Sequence, residues 1–368
     1  MTTQHLILLG AGHAHVHLLK SWARQALPNT RITLVSPYAR AFYSGMVPGW
    51  LAGHYHMEQC EINVPLLAQA AGVTWHATHG VALEAGRQQL TLENGQVLDY
   101  NLISIDTGAG SDVSTLEAQL PGALAHGVKL RPLEDLARRW TTLLNAAKNA
   151  KMPLSVIGGG AASFEIACAL RHRLPGQTIR LVSGLQAPGS GYAPGIQKRI
   201  GATLARLHIE VLQDRCMSIG PAGLELASMG ELPSGQTWVA TGSSAPLWLR
   251  KSGLALCNNG FIALNSFQQS SSHPQVFAAG DVGTRQDHPH PRSGVYAVRA
   301  GPALATNLAA ALQGHVLVPH TLPPHTLNLL SCGDQTAIAA YGAWSTQGRW
   351  VWRWKDTIDR RFMRLYQG

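Results

Sequence analysis

The chain has 368 residues, of which 45% are hydrophobic and 13% charged, a balance that supports a large apolar interior and excludes global disorder. Its formal net charge of +9 favours anionic partners, yet the basic residues are scattered outside the C-terminus, which argues against a nucleic-acid module. Five dispersed cysteines without a CxxC pair exclude a disulfide framework and a zinc ribbon.

The length suits two domains with a short appendix, and the 38 glycines suit many tight strand–helix turns. No basic segment or cleavage site frames the first apolar run, and no apolar run reaches the length of a bilayer span. A cytoplasmic protein is expected.

In chain order, Leu6-Ile7-Leu8-Leu9 runs into Gly10-Ala11-Gly12-His13-Ala14-His15, followed by a helical pattern over 16–26 and a second strand over 31–36. A short strand closed by Thr107-Gly108 completes the unit. The same signals then return in the same order. Leu154-Ser155-Val156-Ile157 leads into Gly158-Gly159-Gly160-Ala161-Ala162-Ser163, a helical pattern over 164–173, a strand over 178–183 and a strand closed by Thr241-Gly242. Two copies of one unit predict two dinucleotide sites.

The chemistry of such a turn is simple. Its first glycine permits a tight bend, its second lets backbone approach a pyrophosphate, and the helix start offers free N–H groups and partial positive charge. Gly10, Gly12, His13, Ala14, Thr107 and Gly108 are the candidates at the first site, and Gly158, Gly160, Ala161, Ala162, Thr241 and Gly242 at the second. His15 and Ser163 stand where a third glycine usually packs helix on strand, so the larger His15 is expected to point out of that seam. Ser36 and Ser183 replace the acid that normally binds ribose hydroxyls, and they are the candidate ribose ligands. Without that acid, neither NADH nor NADPH is favoured.

His13, His15 and His17 alternate as ligands on a strand would, but they cross a glycine loop and a helix start, and no metal site is expected there. Asp287-His288-Pro289-His290 reads as a loop. Toward the C-terminus, Trp354, Ile358, Phe362 and Tyr366 recur at steps of four among arginines, which predicts an amphipathic helix with an Asp356–Arg360 pair. Such a helix can lie on an anionic membrane, or dock on its own body or a second copy; the docked arrangement is the slightly preferred expectation.

Four further stretches carry a family resemblance. They are the first glycine turn, Tyr43-Ser44-Gly45-Met46-Val47-Pro48-Gly49, Val276-Phe277-Ala278-Ala279-Gly280-Asp281, and Ser293-Gly294-Val295-Tyr296-Ala297-Val298-Arg299. With the C-terminal segment 350–363, they make the chain resemble the pyridine nucleotide–disulfide oxidoreductase superfamily. Within it the chain is similar to type II NADH dehydrogenases and sulfide:quinone oxidoreductases, and above all to the flavoprotein module often fused to selenophosphate synthase. The resemblance implies an FAD-dependent NAD(P)H oxidoreductase. It implies that Asp281 binds the ribityl chain of FAD and that Glu165 is aimed at the nicotinamide.

An apolar strand delivers Gly280-Asp281 to the sheet edge where ligands bind, with an N-cap as the alternative role for Asp281. Gly294 opens a helix to about Leu312, whose N-terminus would favour negative charge on reduced flavin; Val295, Tyr296 and Ala297 would line that edge. The loop 43–48, ending at Pro48, is expected beside the flavin ring. Glu165 and Tyr296 are the candidate catalytic residues, Glu165 having favourable charge at a helix start as its alternative.

The expected architecture is α/β, with two Rossmann-type domains and the nicotinamide domain inserted into the FAD domain. FAD would occupy residues 1–120 and 258–325, the nicotinamide nucleotide 121–257, and a C-terminal element 326–368. No cysteine pair flanks the flavin loop, so electrons are expected to pass from flavin directly to a small, quinone-like acceptor. A sulfur or selenium compound is the alternative acceptor, and a flavin-bearing scaffold the alternative class. Peripheral contact at the inner face of a membrane and a homodimer remain open.

Overall fold

The computed structural model describes residues 3–110 and 113–367. Apolar runs bounded by glycine turns form parallel strands buried on both faces. The first sheet has the order Val276–Ala278, Leu102–Ile105, Gln4–Leu9, Thr30–Val35, Thr74–His76, and every pairing is parallel. The second has the order Gly127–Lys129, Gln236–Val239, Leu154–Ile157, Ile179–Val182, Glu210–Leu212, again all parallel.

The two sheets correspond strand for strand. In each, the central strand feeds the glycine turn, and the strand that precedes Thr-Gly lies beside it. The chain thus reverses its direction across the sheet at that point, which opens a crevice at the strands' C-terminal edge. Val276–Ala278 joins the first sheet only after the second sheet is complete, so the second unit is an insertion into the first.

The repeat extends to a feature the sequence pattern did not reveal. Each unit carries a three-stranded antiparallel meander, Gly80–Glu84 with Gln89–Leu92 and Val97–Asp99, and Cys216–Gly220 with Gly223–Leu226 and Gly230–Pro233. A third antiparallel sheet, Asn328–Ser331, Ala337–Tyr341 and Trp344–Gly348, precedes the helix Arg349–Tyr366. Between the two large sheets, Trp50 lies 5.3 Å from Trp140, which lies 6.1 Å from Trp238. Trp50 belongs to the helix Val47–Ala52 of the first unit and Trp238 to the second sheet, so large buried aromatic surfaces join the two units.

His15 departs from expectation. It does not leave the packing seam but lies fully buried within it. Its Nδ1 sits 2.6 Å from the Gly10 carbonyl oxygen and its Nε2 2.8 Å from Ser104 Oγ. The facing strand carries a small serine at that point, which supplies both the space and the partner that a glycine would otherwise provide. Burial holds the ring neutral, with its pKa lowered to about 4.

The C-terminal stripe is also different. The helix buries Val351, Lys355, Asp359, Phe362, Met363 and Tyr366, while Trp354 and Ile358 face solvent. Charge pairing decides this register: Lys355 and Asp359 satisfy each other inside the protein and take positions the apolar pattern had assigned outward. The expected Asp356–Arg360 pair is present at 2.8 Å.

His15→Ala removes a buried ring bonded at both nitrogens and leaves a cavity beside Ser104. The expected cost is about 2–4 kcal/mol, read as a lower denaturant midpoint.

Candidate active site

The first glycine turn closes around a carboxylate. Gly10 adopts φ +92°, and a Cβ there would strike the Asp106 backbone, as a Cβ at Gly12 would strike the Asp106 side chain. The backbone of Asp106 is pinned at both ends: its N–H donates to Leu9 O at 2.8 Å, and its carbonyl accepts from Gly12 N at 3.1 Å. Its Oδ2 accepts from the Ala14 and His15 amides at 2.9 and 3.0 Å. Burial pushes the Asp106 carboxyl up to about 7, against the lowering effect of these two N–H groups, and nearby Asp281 raises it further.

Gly280 and Asp281 meet the same edge. A Cβ at Gly280, which has φ +68°, would lie 2.7 Å from Asp106 Oδ1 and 3.5 Å from the Ala297 Cβ. The Asp281 side chain is 13% exposed and pairs with Arg131 at 3.3 Å, while the Asp281 carbonyl accepts from Arg292 Nε at 3.2 Å. The structure therefore shows Asp281 in an ion pair rather than capping a helix.

The helix Gly294–Leu312 starts here, and Ser44 Oγ would lie 3.0 Å from a Cβ on Gly294, so the loop 43–48 does reach this edge. Pro48 is buried in the first turn of Val47–Ala52. Tyr296 is buried and stacks on His290, with ring centroids 3.9 Å apart; Val295 and Ala297 flank it. Ser36 is buried, and its carbonyl accepts from Trp75 Nε1 at 2.9 Å. Thr107 and Gly108 lie past the strand end, and Gly108 has φ +71°.

The second turn is closed at Gly158, where a Cβ would lie 2.5 Å from the Ala240 carbonyl oxygen, and opens at Gly160. A Cβ on Gly160 would meet nothing within 4 Å, nor would one on Gly242, beyond Thr241. The helix Ala161–Arg173 begins with Ala161 and Ala162 and has no side-chain cap. Ser163 Oγ donates to the Gly160 carbonyl at 2.8 Å, and Ser183 Oγ to the Gln186 carbonyl at 2.8 Å. The Ser183 hydroxyl thus has its proton engaged and only its lone pairs left to accept.

Glu165 takes a position the sequence did not reveal. Its Oε1 accepts from Ser331 N at 2.7 Å, which ties the second nucleotide helix to the C-terminal sheet. Burial raises its pKa to about 7; Lys355 and the Ser331 N–H oppose that rise and Asp359 adds to it.

Lys355 is itself buried, with Nζ 2.6 Å from Asp359 Oδ2 and 2.6 Å from the Gly45 carbonyl oxygen. Tyr43 donates its hydroxyl to Asp359 Oδ1 at 3.1 Å, and its ring stacks on Phe362 at 4.3 Å. His13 approaches the same pair, 5.5 Å from Tyr43, and its buried Nε2 has no partner among the described residues. Burial lowers its pKa to about 4. Cys60 lies buried under the loop, and its carbonyl accepts from Tyr43 N at 2.8 Å. Burial pushes its thiol up to about 12, so it is not a thiolate near neutral pH.

The residues at the first edge fit a flavin dinucleotide. Its helix start carries the Ala14 and His15 amides, which here donate to Asp106, Ser293 Oγ and His13 Nε2 are buried polar atoms without partners among the described residues, and Asp281 stands at the strand end. The open Gly160 turn fits a second dinucleotide.

The pyridine nucleotide-disulphide oxidoreductase family matches residues 4–303. The chain belongs to that family. It is 23% identical over 273 residues to ferroptosis suppressor protein 1 of Taeniopygia guttata, covering 70% of this chain and 69% of that one. The fold is shared with the sulfide:quinone oxidoreductase of Aquifex aeolicus, at TM-score 0.78 and 14% identity, over 98% of this chain and 90% of the other. NDH2 from Plasmodium falciparum, solved with NADH, gives TM-score 0.79 and 12% identity over 99% of both chains. This family member is an NAD(P)H-dependent flavin oxidoreductase with FAD as its cofactor.

Sequence reasoning did not find Asp106, Arg131, Lys355, Asp359 or the Tyr43 hydroxyl. Asp106 did leave a signal, an ionisable residue ending an otherwise apolar strand. Lys355 and Asp359 left none, because an i,i+4 pair of opposite charge usually lies on a solvated face.

Two substitutions separate the two nucleotide positions. Gly160→Val places a side chain in open space beside the second turn; FAD content should be unchanged while the KM for NAD(P)H rises at least tenfold. Asp281→Ala should yield largely FAD-free protein by absorbance at purification.

Proposed function

We propose that this chain oxidises NAD(P)H and delivers the electrons directly to a quinone or quinone-like acceptor, with no protein thiol in the path. FAD, when bound, supplies a centre that accepts hydride and releases electrons singly or in pairs. The observation that carries the reading is the two-faced helix Arg349–Tyr366. Its inner face, through Lys355, Asp359 and Phe362, grips the loop beside the proposed flavin position.

Its outer face exposes Trp350, Trp354, Ile358 and Leu365 by 55%, 38%, 40% and 49%. These residues share one strip of the helix, with Arg361 among them and Arg349, Arg353 and Arg364 along one flank. Trp350 and Trp354 stack at 6.3 Å. Aromatic and aliphatic groups edged by arginine suit the interface of an anionic bilayer, where quinones partition. Among the described residues no helix is long and apolar enough to cross a membrane, so contact through this face would be peripheral.

The polar groups behind the helix support the same chemistry. Quinone reduction takes up protons as well as electrons, and the Glu165 carboxyl, raised to about 7, holds a proton on part of the molecules near neutral pH. A thiol route has less support. Cys60 is the cysteine nearest the flavin loop, and its pKa of about 12 keeps it protonated and poorly nucleophilic. That weighs against the sulfur or selenium alternative.

Anaerobic stopped-flow mixing with NADH or NADPH should bleach the flavin within seconds; no bleaching over minutes would favour the scaffold alternative. Cys60→Ser and Cys332→Ser should each turn over a soluble quinone within a few-fold of wild type, with flavin content checked for both. Loss of turnover with intact flavin reduction in either variant would replace the direct route with a thiol one.

The protein should also float with vesicles containing anionic lipid. Trp350→Asp combined with Trp354→Asp should abolish that flotation and leave soluble-quinone turnover intact. Equal flotation of the double variant would remove this face from the reading.

A further inference from the structure

We propose that FAD binding to this chain takes up one proton at Asp106, whose carboxyl remains beside the pyrophosphate as a neutral acid. The inference rests on the assignment of FAD to the first glycine turn. The amides of Ala14 and His15 open the helix His13–Trp22, and such amides are the donors a dinucleotide pyrophosphate engages. In this chain both donate to Asp106 Oδ2, at 2.9 and 3.0 Å. A carboxylate and a pyrophosphate therefore address the same donors at the same sheet edge.

Asp106 cannot move away to relieve the conflict. It is fully buried, its backbone is bonded on both sides to Leu9 and Gly12, and its Oδ1 faces the Gly280 backbone. Rotation of the side chain leaves the carboxyl at the same edge.

The neighbouring charges do not neutralise it. The facing carboxylate is Asp281, a like charge. Arg131 pairs with the Asp281 carboxylate, and Arg292 donates to its carbonyl and to Thr284 Oγ1. His13 and His15, on the glycine loop and helix start, are held neutral with pKa values near about 4. From the helix Gly294–Leu312 the residue at this edge is Ala297; the neighbouring Tyr296 stacks on His290, whose pKa burial lowers.

A buried carboxyl whose pKa is already about 7 then meets a dianion, and its charged form becomes less favourable still. A proton from solvent adds to the carboxylate, which becomes a donor to a phosphate oxygen. The sign follows directly. Below about 7 the acid is already neutral and affinity is insensitive to pH; above about 7 each unit weakens FAD binding by up to about tenfold.

The test strips FAD from purified protein and titrates FAD back at pH 6, 7, 8 and 9, with flavin fluorescence reporting affinity. Calorimetry at pH 8 in two buffers of different ionisation heat counts protons. Wild type should take up about one proton per FAD at pH 8. Asp106→Asn should take up close to none, lose the pH slope, and bind more tightly than wild type at pH 9. The proton count is read on wild type, so a poorly folding variant leaves the test decisive. A wild-type count near zero at pH 8, or a variant that keeps the slope, overturns the inference while leaving the FAD assignment standing. No FAD binding at any pH would overturn both.

Discussion

The buried Lys355–Asp359 pair sets the geometry on which the proposed electron-exit side depends. An ammonium inside a protein is tolerated when it is paired and hydrogen-bonded, and here two of its three donors are met, by the Asp359 carboxylate and the Gly45 carbonyl. Removing either charge strands the other, so the helix register and the loop at 43–45 are fixed together. Tyr43, bonded to Asp359 and stacked on Phe362, is held by the same constraint. Glu165 feels Lys355 electrostatically and is tied to Ser331, so the second nucleotide helix joins the C-terminal sheet at the same place. One charge pair thus links the flavin loop, the C-terminal helix and, more loosely, the inserted unit.

Much of the frame was legible in sequence because its signals are local. A strand, a glycine turn and a helix start are adjacent in the chain, and their recurrence at matching offsets implied two dinucleotide-binding units, while the insertion of one into the other came with the family resemblance. The helix opening at Gly294 was legible for the same reason. The failures concern contacts between residues far apart in sequence. His15 is buried because Ser104, on another strand, leaves it room. Phe362 faces inward and Trp354 outward because Lys355 and Asp359 find partners at residues 43–45. Periodicity ranks residues by hydrophobicity alone and so places a lysine outside whenever an isoleucine competes for the same face.

The C-terminal helix meets two demands with one sequence. Its inner face packs Val351, Phe362, Met363 and Tyr366 around the paired Lys355 and Asp359, which leaves Trp350, Trp354, Ile358 and Leu365 for the outer face. An ordinary surface helix keeps such a charge pair outside and large apolar side chains inside. The arrangement is stable as a fold because the inner charges are paired. It also leaves an apolar strip larger than a solvated helix needs, and such strips in soluble domains mark contact surfaces.

The two glycine turns share a fold and differ in chemistry, and that difference suits the two nucleotides they are proposed to hold. At the first, Asp106, Gly280 and the helix Gly294–Leu312 close in from three directions, and Gly301 packs so tightly on His17 that a Cβ would approach its Cβ to 2.8 Å. At the second, Gly158 closes on the Ala240 backbone as Gly10 does on Asp106, but Gly160 has open space where Gly12 meets the Asp106 side chain, and Ser183 donates to a local turn. A cofactor that stays through many turnovers and a co-substrate that exchanges in each of them need opposite dissociation rates from similar turns. On the proposed assignment the repeated unit would supply the recognition, and the residues that face each turn from elsewhere in the chain would tune the residence time.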